Sequence, residues 1–192
     1  MTLARASRWL AVLAGAALVA GCGQSQPSDD SPEAVASGPS AMKLTSNAFE
    51  NGQPLPAEFT CDGAGRSPQL QWSEPPGGTQ SFALIVEDTD APKGTFRHWG
   101  VYDIPMSARQ LNTGAAQSVT SGLKQAKNDF DDLGYGPPCP PAGDRPHHYH
   151  FRLTALDIPE LAATPIMAGD IPRIMGGHVL GTAELVATYG RK

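Results

Sequence analysis

Apolar residues along this chain fall into a few sharply different patterns, and each predicts a different element. Ser81 to Val86 (SFALIV) is an almost unbroken apolar run, as expected for a strand buried on both faces. His98 to Ile104 (HWGVYDI) alternates, and His148 to Ile158 (HYHFRLTALDI) alternates for longer. In that longer strand His147, Tyr149, Phe151, Leu153 and Ala155 share one face, and His148, His150, Arg152 and Thr154 share the other. Leu70-Gln71-Trp72 reads as a short strand between Ser67-Pro68 and Pro75-Pro76-Gly77-Gly78, and Glu184 to Tyr189 as a final one. Helical spacing is convincing in one place. Asp170 can cap it, Pro172 suits its first turn, Ile171, Ile174, Met175 and Val179 recur at its period, and Gly181 would stop it, with His178 on the helix. Ser107 to Leu133 has weak periodicity and reads as loop and short irregular pieces. The predicted class is mainly β with a few helices.

The two ends add a compartment and a tether. Arg5 and Arg8 precede an apolar run, Trp9 to Ala20, too short to span a bilayer. It ends in Val19-Ala20-Gly21-Cys22, small residues directly before a cysteine, which resembles a bacterial lipobox. Residues 1–21 therefore read as a lipoprotein signal peptide, with cleavage before Cys22 and acyl chains, palmitate among them, carried from that cysteine. The alternative is an ordinary secretory signal that happens to contain a cysteine. Cys22 to Ala41 is rich in Gln, Ser, Pro, Asp and Gly and reads as a lipidated, disordered tether. Its flexible part has an r.m.s. reach of roughly 25 Å. Met42 to Lys192 is the size of one domain. These features place the protein in the cell envelope, held to a membrane through Cys22, and on the periplasmic face of the outer membrane if the host is Gram-negative.

Charge narrows the partners. Loss of Arg5 and Arg8 takes the formal net charge from -5 to -7, and no basic run remains, which argues against nucleic acid. With Cys22 lipidated, Cys61 and Cys139 are an even pair in an oxidising compartment, and a disulfide between them is expected. The other reading is two separate buried thiols.

Candidate chemistry lies at three places. Asp88-Thr89-Asp90-Ala91-Pro92 follows the buried strand, where two carboxylates could equally be turn chemistry. His98 opens the next strand beside Trp99, a position that also suits a merely packed imidazole. Residues 136–151, GPPCPPAGDRPHHYHF, put a stiff proline run in front of a strand that begins with histidines. Within Pro137 to Pro141 only Cys139 keeps a backbone N–H, so the frame can hold one donor still. His147 then enters the strand on the face of Tyr149 and Phe151.

The segments "DTDAP", "RHW", "GYGPPCPPAG", "HHY" and "GHVLGTAELVATYG" together resemble the phosphatidylethanolamine-binding protein family, in its bacterial branch of Raf kinase inhibitor-like proteins. The likeness runs from about Leu44 to Gly190. It implies a β-sandwich with a C-terminal helix and strand, and a small pocket at one end of the sheet that takes phosphate, acetate or a phosphoethanolamine headgroup. On the family's motifs, Asp88 and Asp90 take the places of the two aspartates, and His98 that of the histidine after them. Phe96 stands where an aromatic is common. Cys139, Pro140 and Pro141 belong to the proline loop, and His147 and Tyr149 to the last motif. Three residues depart from the pattern: Thr89 for a proline, Pro137 for a glycine, and His148 for an arginine.

The resulting expectation is a non-catalytic domain binding a small anion through Asp88, Asp90, His98, Cys139, Pro140, Pro141, His147 and Tyr149, with no cofactor and no metal. Two imidazoles would donate to the anion together with the Cys139 amide. Three rivals stand beside it. Cys139 with His147 as base could suggest a hydrolase, which the expected disulfide would forbid. His148 and His150, at i and i+2 on one strand face, have a spacing that can hold zinc or copper. A protease-inhibiting or host-facing role through exposed loops is the third.

Overall fold

A computed structural model describes residues 41–164 and 167–192. The expected signal peptide, the lipidated Cys22 and nearly all of the tether lie outside the described residues.

Among the described residues nine strands form two sheets. In chain order they are β1 (Leu44–Thr45), β2 (Gln53–Pro54), β3 (Leu70–Trp72), β4 (Ser81–Asp88), β5 (Phe96–Pro105), β6 (Gln110–Leu111), β7 (Lys124–Ala126), β8 (His147–Leu156) and β9 (Val179–Tyr189). The large sheet has the order β2-β9-β8-β4-β5-β7, and the small one β1-β3-β6. All pairings are antiparallel except β2 with β9.

Strand β4 sits near the middle of the large sheet, and all eight of its residues are buried. Phe82, Leu84 and Val86 face the main core, where Leu70, Trp72 and Leu111 come in from the small sheet. Ala83 and Ile85 face a second, smaller core under Ala168 and Ile171. The unbroken apolar run thus does what its pattern implies, since two hydrophobic layers need both faces of one strand. Gly100 on β5 permits the close cover on that second face. A Cβ there would lie 2.7 Å from Ala168 Cβ, closer than real side chains approach.

β8 keeps the alternation read from its sequence. His147, Tyr149, Phe151, Leu153 and Ala155 are buried, while His148 is exposed and His150 and Arg152 are half-buried. β5 does not keep its own. Val86 pairs with Trp99 and Glu87 with Arg97, so His98 is the extra residue of a β-bulge.

The C-terminal helix is a correction. Only Ile171–Ile174 is α-helical, one turn (α1) continuing a 3-10 turn at Ala168–Asp170. Pro172 lies in its first turn, as expected, and Asp170 stands at its N-cap position, but the Asp170 side chain does not cap this helix and instead accepts from the Met167 N–H. Gly176 and Gly177 end it, because glycine costs about 1 kcal/mol in a helix interior and Gly177 has φ +85°. His178 therefore lies beyond the helix, where its Nδ1 pairs with Asp157 Oδ1 at 2.8 Å. Val179 begins β9, and Gly181 lies inside that strand, where a Cβ would come within 2.9 Å of Pro76.

Candidate anion-binding site

Three strand ends converge at one end of the large sheet. Asp88, the last residue of β4, pairs with Phe96 at the start of β5 and with Tyr149 near the start of β8. His147 lies two residues before Tyr149 on the same inward face, and the bulge turns His98 toward them, its ring centroid 5.3 Å from that of Tyr149. The proline loop closes the space. Cys61 and Cys139 are disulfide-bonded across 78 positions of chain, and the Cys61 N–H donates to Pro138 O at 3.1 Å. This settles the cysteine pairing. It also removes the hydrolase reading of Cys139, whose sulfur is not a free thiolate.

The result is a cavity of about 140 Å³. That is well below the roughly 300–1,000 Å³ of pockets for drug-sized ligands. Asp88, His98, Cys139, Pro140, Pro141, His147 and Tyr149 all line it, with Ala91, Pro92, Phe96 and Phe130. Asp90 does not. Its carboxylate accepts from Arg145 at 2.8 Å and from both the backbone N–H and the ring of His148, at 2.9 and 2.6 Å. The His148 hydrogen bond, first among its contacts, holds the Asp90 carboxyl below its usual range. Asp90 therefore acts on the cavity through its own N–H, which donates to Asp88 Oδ1 at 2.9 Å. The sequence placed both aspartates in the site because they share one motif. The turn sends the second one outward.

Asp88 is the hub. Buried to 4 % exposure, it accepts from His147 Nδ1 at 2.7 Å through Oδ2 and from the Asp90 amide through Oδ1. The Tyr149 hydroxyl lies close enough for the two groups to act on each other. Burial, and then the Asp88 charge, raise the Tyr149 pKa well above the usual tyrosine value, so this hydroxyl stays protonated. With Nδ1–H committed to Asp88, His147 has Nε2 left for a ligand.

His98 is fixed by a different partner. Its ring Nδ1 lies 2.7 Å from Gly136 O, and the Gly136 N–H returns to His98 O at 2.7 Å. A carbonyl can only accept, so Nδ1 carries the proton and Nε2 is bare in the neutral ring. This corrects the expectation of two donating imidazoles. Burial lowers the His98 pKa below the usual 6.5, against the opposing pull of the Gly136 carbonyl, Asp88 and Asp129. Below about pH 6.5 the unfolded chain gains a proton at His98 that the folded protein refuses until lower pH. The stability tied to this residue is thus complete above that pH and lost as pH falls toward the folded value. We expect the melting temperature of the wild type to drop more than that of His98→Gln between about pH 7.5 and pH 5.5. Equal drops in paired thermal melts would contradict a neutral, buried His98.

The wall residue that the sequence did not reveal is Phe130. Its ring meets Phe96 at 4.7 Å and His98 at 5.6 Å, edge to face, yet the residue is 48 % exposed. Asn128 Oδ1 accepts from the Phe130 N–H and holds the turn. A lone aromatic among acidic residues (NDFDDLG) was the available signal, and nothing local says what it faces.

The outer face of β8 is occupied by pairings. His150 Nδ1 lies 3.1 Å from Glu184 and its Nε2 3.2 Å from Thr89 Oγ1, while the His148 ring is bound to Asp90. The two rings therefore serve different carboxylates. Among the described residues no cluster of three metal-binding side chains occurs. The cavity wall, too, holds no Ser, Thr, Lys or free thiol that could act as a nucleophile. The cavity has the size and the polar groups to receive a small ligand.

Residues 45–190 match the phosphatidylethanolamine-binding protein family. A UPF0098 protein of Aquifex aeolicus is 42 % identical over 156 residues, 80 % of this chain and 91 % of that protein. The UPF0098 protein YbcL of Escherichia coli is 36 % identical over 160 residues, 78 % of this chain and 87 % of YbcL. The crystal structure of YbcL, described as a new member of the mammalian PEBP family, superposes with a TM-score of 0.74. That alignment has 33 % identity and covers 79 % of this chain and 99 % of YbcL. A putative phosphatidylethanolamine-binding protein homologue from Chlamydia trachomatis gives a TM-score of 0.71 at 37 % identity, covering 79 % of this chain and 99 % of its own. With a family match over most of its length and relatives of this identity, this chain belongs to the phosphatidylethanolamine-binding protein family.

Proposed function

We propose that the protein is a non-catalytic binding domain for a small phosphate-type anion, held outside the cytoplasm by a lipid on Cys22. The observation that carries the binding reading is the Asp88–His147 pair at the wall of a small cavity, with Nδ1 engaged at 2.7 Å and Nε2 left for a ligand. When the ring carries both protons, Nε2–H donates to an oxyanion while Asp88 balances the imidazolium. The Cys139 amide, which has no acceptor among the described residues, is a further donor at the same wall. Pro140, Pro141 and Pro92 leave little backbone to compete for the ligand. A phosphoethanolamine headgroup or a phosphorylated metabolite would fit this chemistry.

Calorimetric titration of the purified chain with inorganic phosphate and with phosphoethanolamine tests this reading. Saturable heat is expected, reduced at least ~10-fold in affinity by His147→Ala, because a charge-assisted hydrogen bond contributes roughly 1.5–3 kcal/mol. Equal binding by the variant would sink the assignment of His147.

The anchor rests on the apolar run ending in Val19-Ala20-Gly21-Cys22, and a disulfide suits an oxidising compartment. Expressed in a Gram-negative bacterium, the wild type should partition into the membrane fraction and incorporate labelled palmitate. Cys22→Ser should do neither. A wild type found only in the soluble fraction would end the lipoprotein reading.

A further inference from the structure

The two imidazoles at the cavity are not equivalent, and their difference constrains the ligand. His98 is locked by two hydrogen bonds to one residue: its carbonyl takes the Gly136 N–H, and its Nδ1–H donates to the Gly136 carbonyl. Rotating the ring would break the second of these inside a wall of Phe96, Phe130 and Tyr149, whose centroids lie 5.1, 5.6 and 5.3 Å from that of His98. The ring has no other acceptor for a proton on Nε2 among the described residues. Nor is Nε2 one of the buried, unpartnered side-chain atoms, although His98 is only 3 % exposed, so this nitrogen opens onto the cavity that the residue lines. It presents a lone pair there, not a proton.

The charged and titratable groups close enough to act on His98 are the Asp88 carboxylate from β4, Asp129 from the turn before Phe130, which pairs with Arg97, and His147 from β8, with the protonated Tyr149 hydroxyl close to Asp88. Two of these are negative and none donates to Nε2. A ligand entering this cavity therefore meets one potential cationic donor, His147, and one neutral acceptor, His98, beside a fixed carboxylate. A fully deprotonated oxyanion would set an oxygen lone pair against the lone pair of Nε2. An oxyanion that keeps one O–H can donate to Nε2 and still accept from His147.

We propose that the site selects oxyanions bearing a proton: the hydrogen phosphates, monoalkyl phosphates and phosphonates in their monoanionic form, and not sulfate. This inference rests on the anion-binding reading above and narrows its ligands to free phosphate and monoesters such as phosphoethanolamine itself, because the diester phosphate of an intact lipid headgroup has no O–H to donate. The discrimination is one of hydrogen-bond sign. Phosphate and sulfate have nearly the same size and shape, so cavity volume cannot tell them apart, whereas an acceptor in the wall can.

The test is calorimetric titration of the purified chain with inorganic phosphate, methyl phosphate and sulfate, at matched ionic strength. At about pH 6, near the second pKa of a phosphomonoester, a substantial share of methyl phosphate carries its proton and sulfate carries none. Phosphate and methyl phosphate are expected to bind about 10- to 100-fold more tightly than sulfate, the range for one hydrogen bond lost and one buried acceptor left facing a lone pair. Their affinity should fall as the pH is raised and the monoanion disappears. In His98→Phe, which keeps an aromatic ring against Phe96 and Phe130, the preference over sulfate should vanish. Nitrogen chemical shifts of the histidine rings in the wild type provide a measurement free of any variant: His98 Nε2 should read as unprotonated in the ligand-free protein. Equal affinities for phosphate and sulfate, or a proton on Nε2, would overturn the proposal while leaving anion binding intact. Absence of binding by phosphate, methyl phosphate and sulfate alike would overturn both readings together.

Discussion

Replacing Cys61 and Cys139 together by serine is expected to lower the free energy of unfolding by about 4 kcal/mol. The bond closes a loop spanning 78 positions, and in the chain-entropy model the unfolded chain loses the corresponding loop-closure entropy, which grows with loop length. Domains of this size are stable by only about 5–15 kcal/mol, so the loss takes a large fraction of the total. In urea the unfolding midpoint should fall by roughly 2 M at a typical denaturant slope. The effect has a local side as well. Cys139 stands in the wall of the cavity, and the Cys61 N–H to Pro138 O hydrogen bond is the cross-connection beside the disulfide. Releasing the sulfur frees the proline loop to move, so anion affinity should weaken along with stability. A strong reductant should bring the wild type to the level of the double variant and leave the variant unchanged. A stability difference under ~1 kcal/mol would mean that the unfolded chain is compact enough to make the crosslink redundant.

Asp88→Ala should be the most damaging single substitution at the site. The carboxylate serves two donors, His147 Nδ1 and the Asp90 amide, and lies near the Tyr149 hydroxyl. His147 and Asp88 are both nearly inaccessible, with side-chain exposures of 5 % and 6 %. Leaving buried donors without an acceptor costs about 1–3 kcal/mol each, so a loss of about 3 kcal/mol or more is expected even with partial relaxation. Asp88→Asn keeps one acceptor oxygen and nearly the same shape, and it should lose less stability. Its anion binding should nonetheless fall, because the amide carries no charge to balance an imidazolium at His147. Denaturation curves and phosphate titrations of both variants separate these effects. An alanine variant within ~1 kcal/mol of the wild type would show that water enters and satisfies the orphaned donors.

Much of this arrangement is legible in the sequence where the determinant is local. The apolar run of β4 and the alternation of β8 each state which side chains go inward, because period and burial are coupled within one strand. The motif likeness then brings Asp88, His147 and the proline loop to one end of the sheet. What the sequence hides depends on pairing between distant segments. His98 reaches the cavity only because β5 bulges against β4, and a strict alternation puts it on the face opposite Trp99. The role of Asp90 depends on where the chain turns after Asp88. Phe130 belongs to a segment whose position is set by Asn128, whose amide donates to Gly134 O, and not by any periodicity of its own. The misread helix has a simpler cause. Ile171, Ile174, Met175 and Val179 fit a helical period, but the Gly176-Gly177 turn intervenes and the strand partners of Val179 and Gly181 on β8 lie more than twenty residues away.

The ends of the large sheet carry a last consequence. Its outermost strands are β2, two residues long and ending in a proline, and β7, three residues long and beginning with a lysine. The long strands β4, β5, β8 and β9, with the apolar stretches that would template a foreign strand, are all interior. Each edge strand is itself too short to template a foreign strand, with a proline at one side and a charge at the other, although β2 pairs only Ala187 and Thr188 of β9 and β7 only Gly100 to Tyr102 of β5. The sheet should therefore resist edge-to-edge association at β2 and β7 so long as these two strands stay paired.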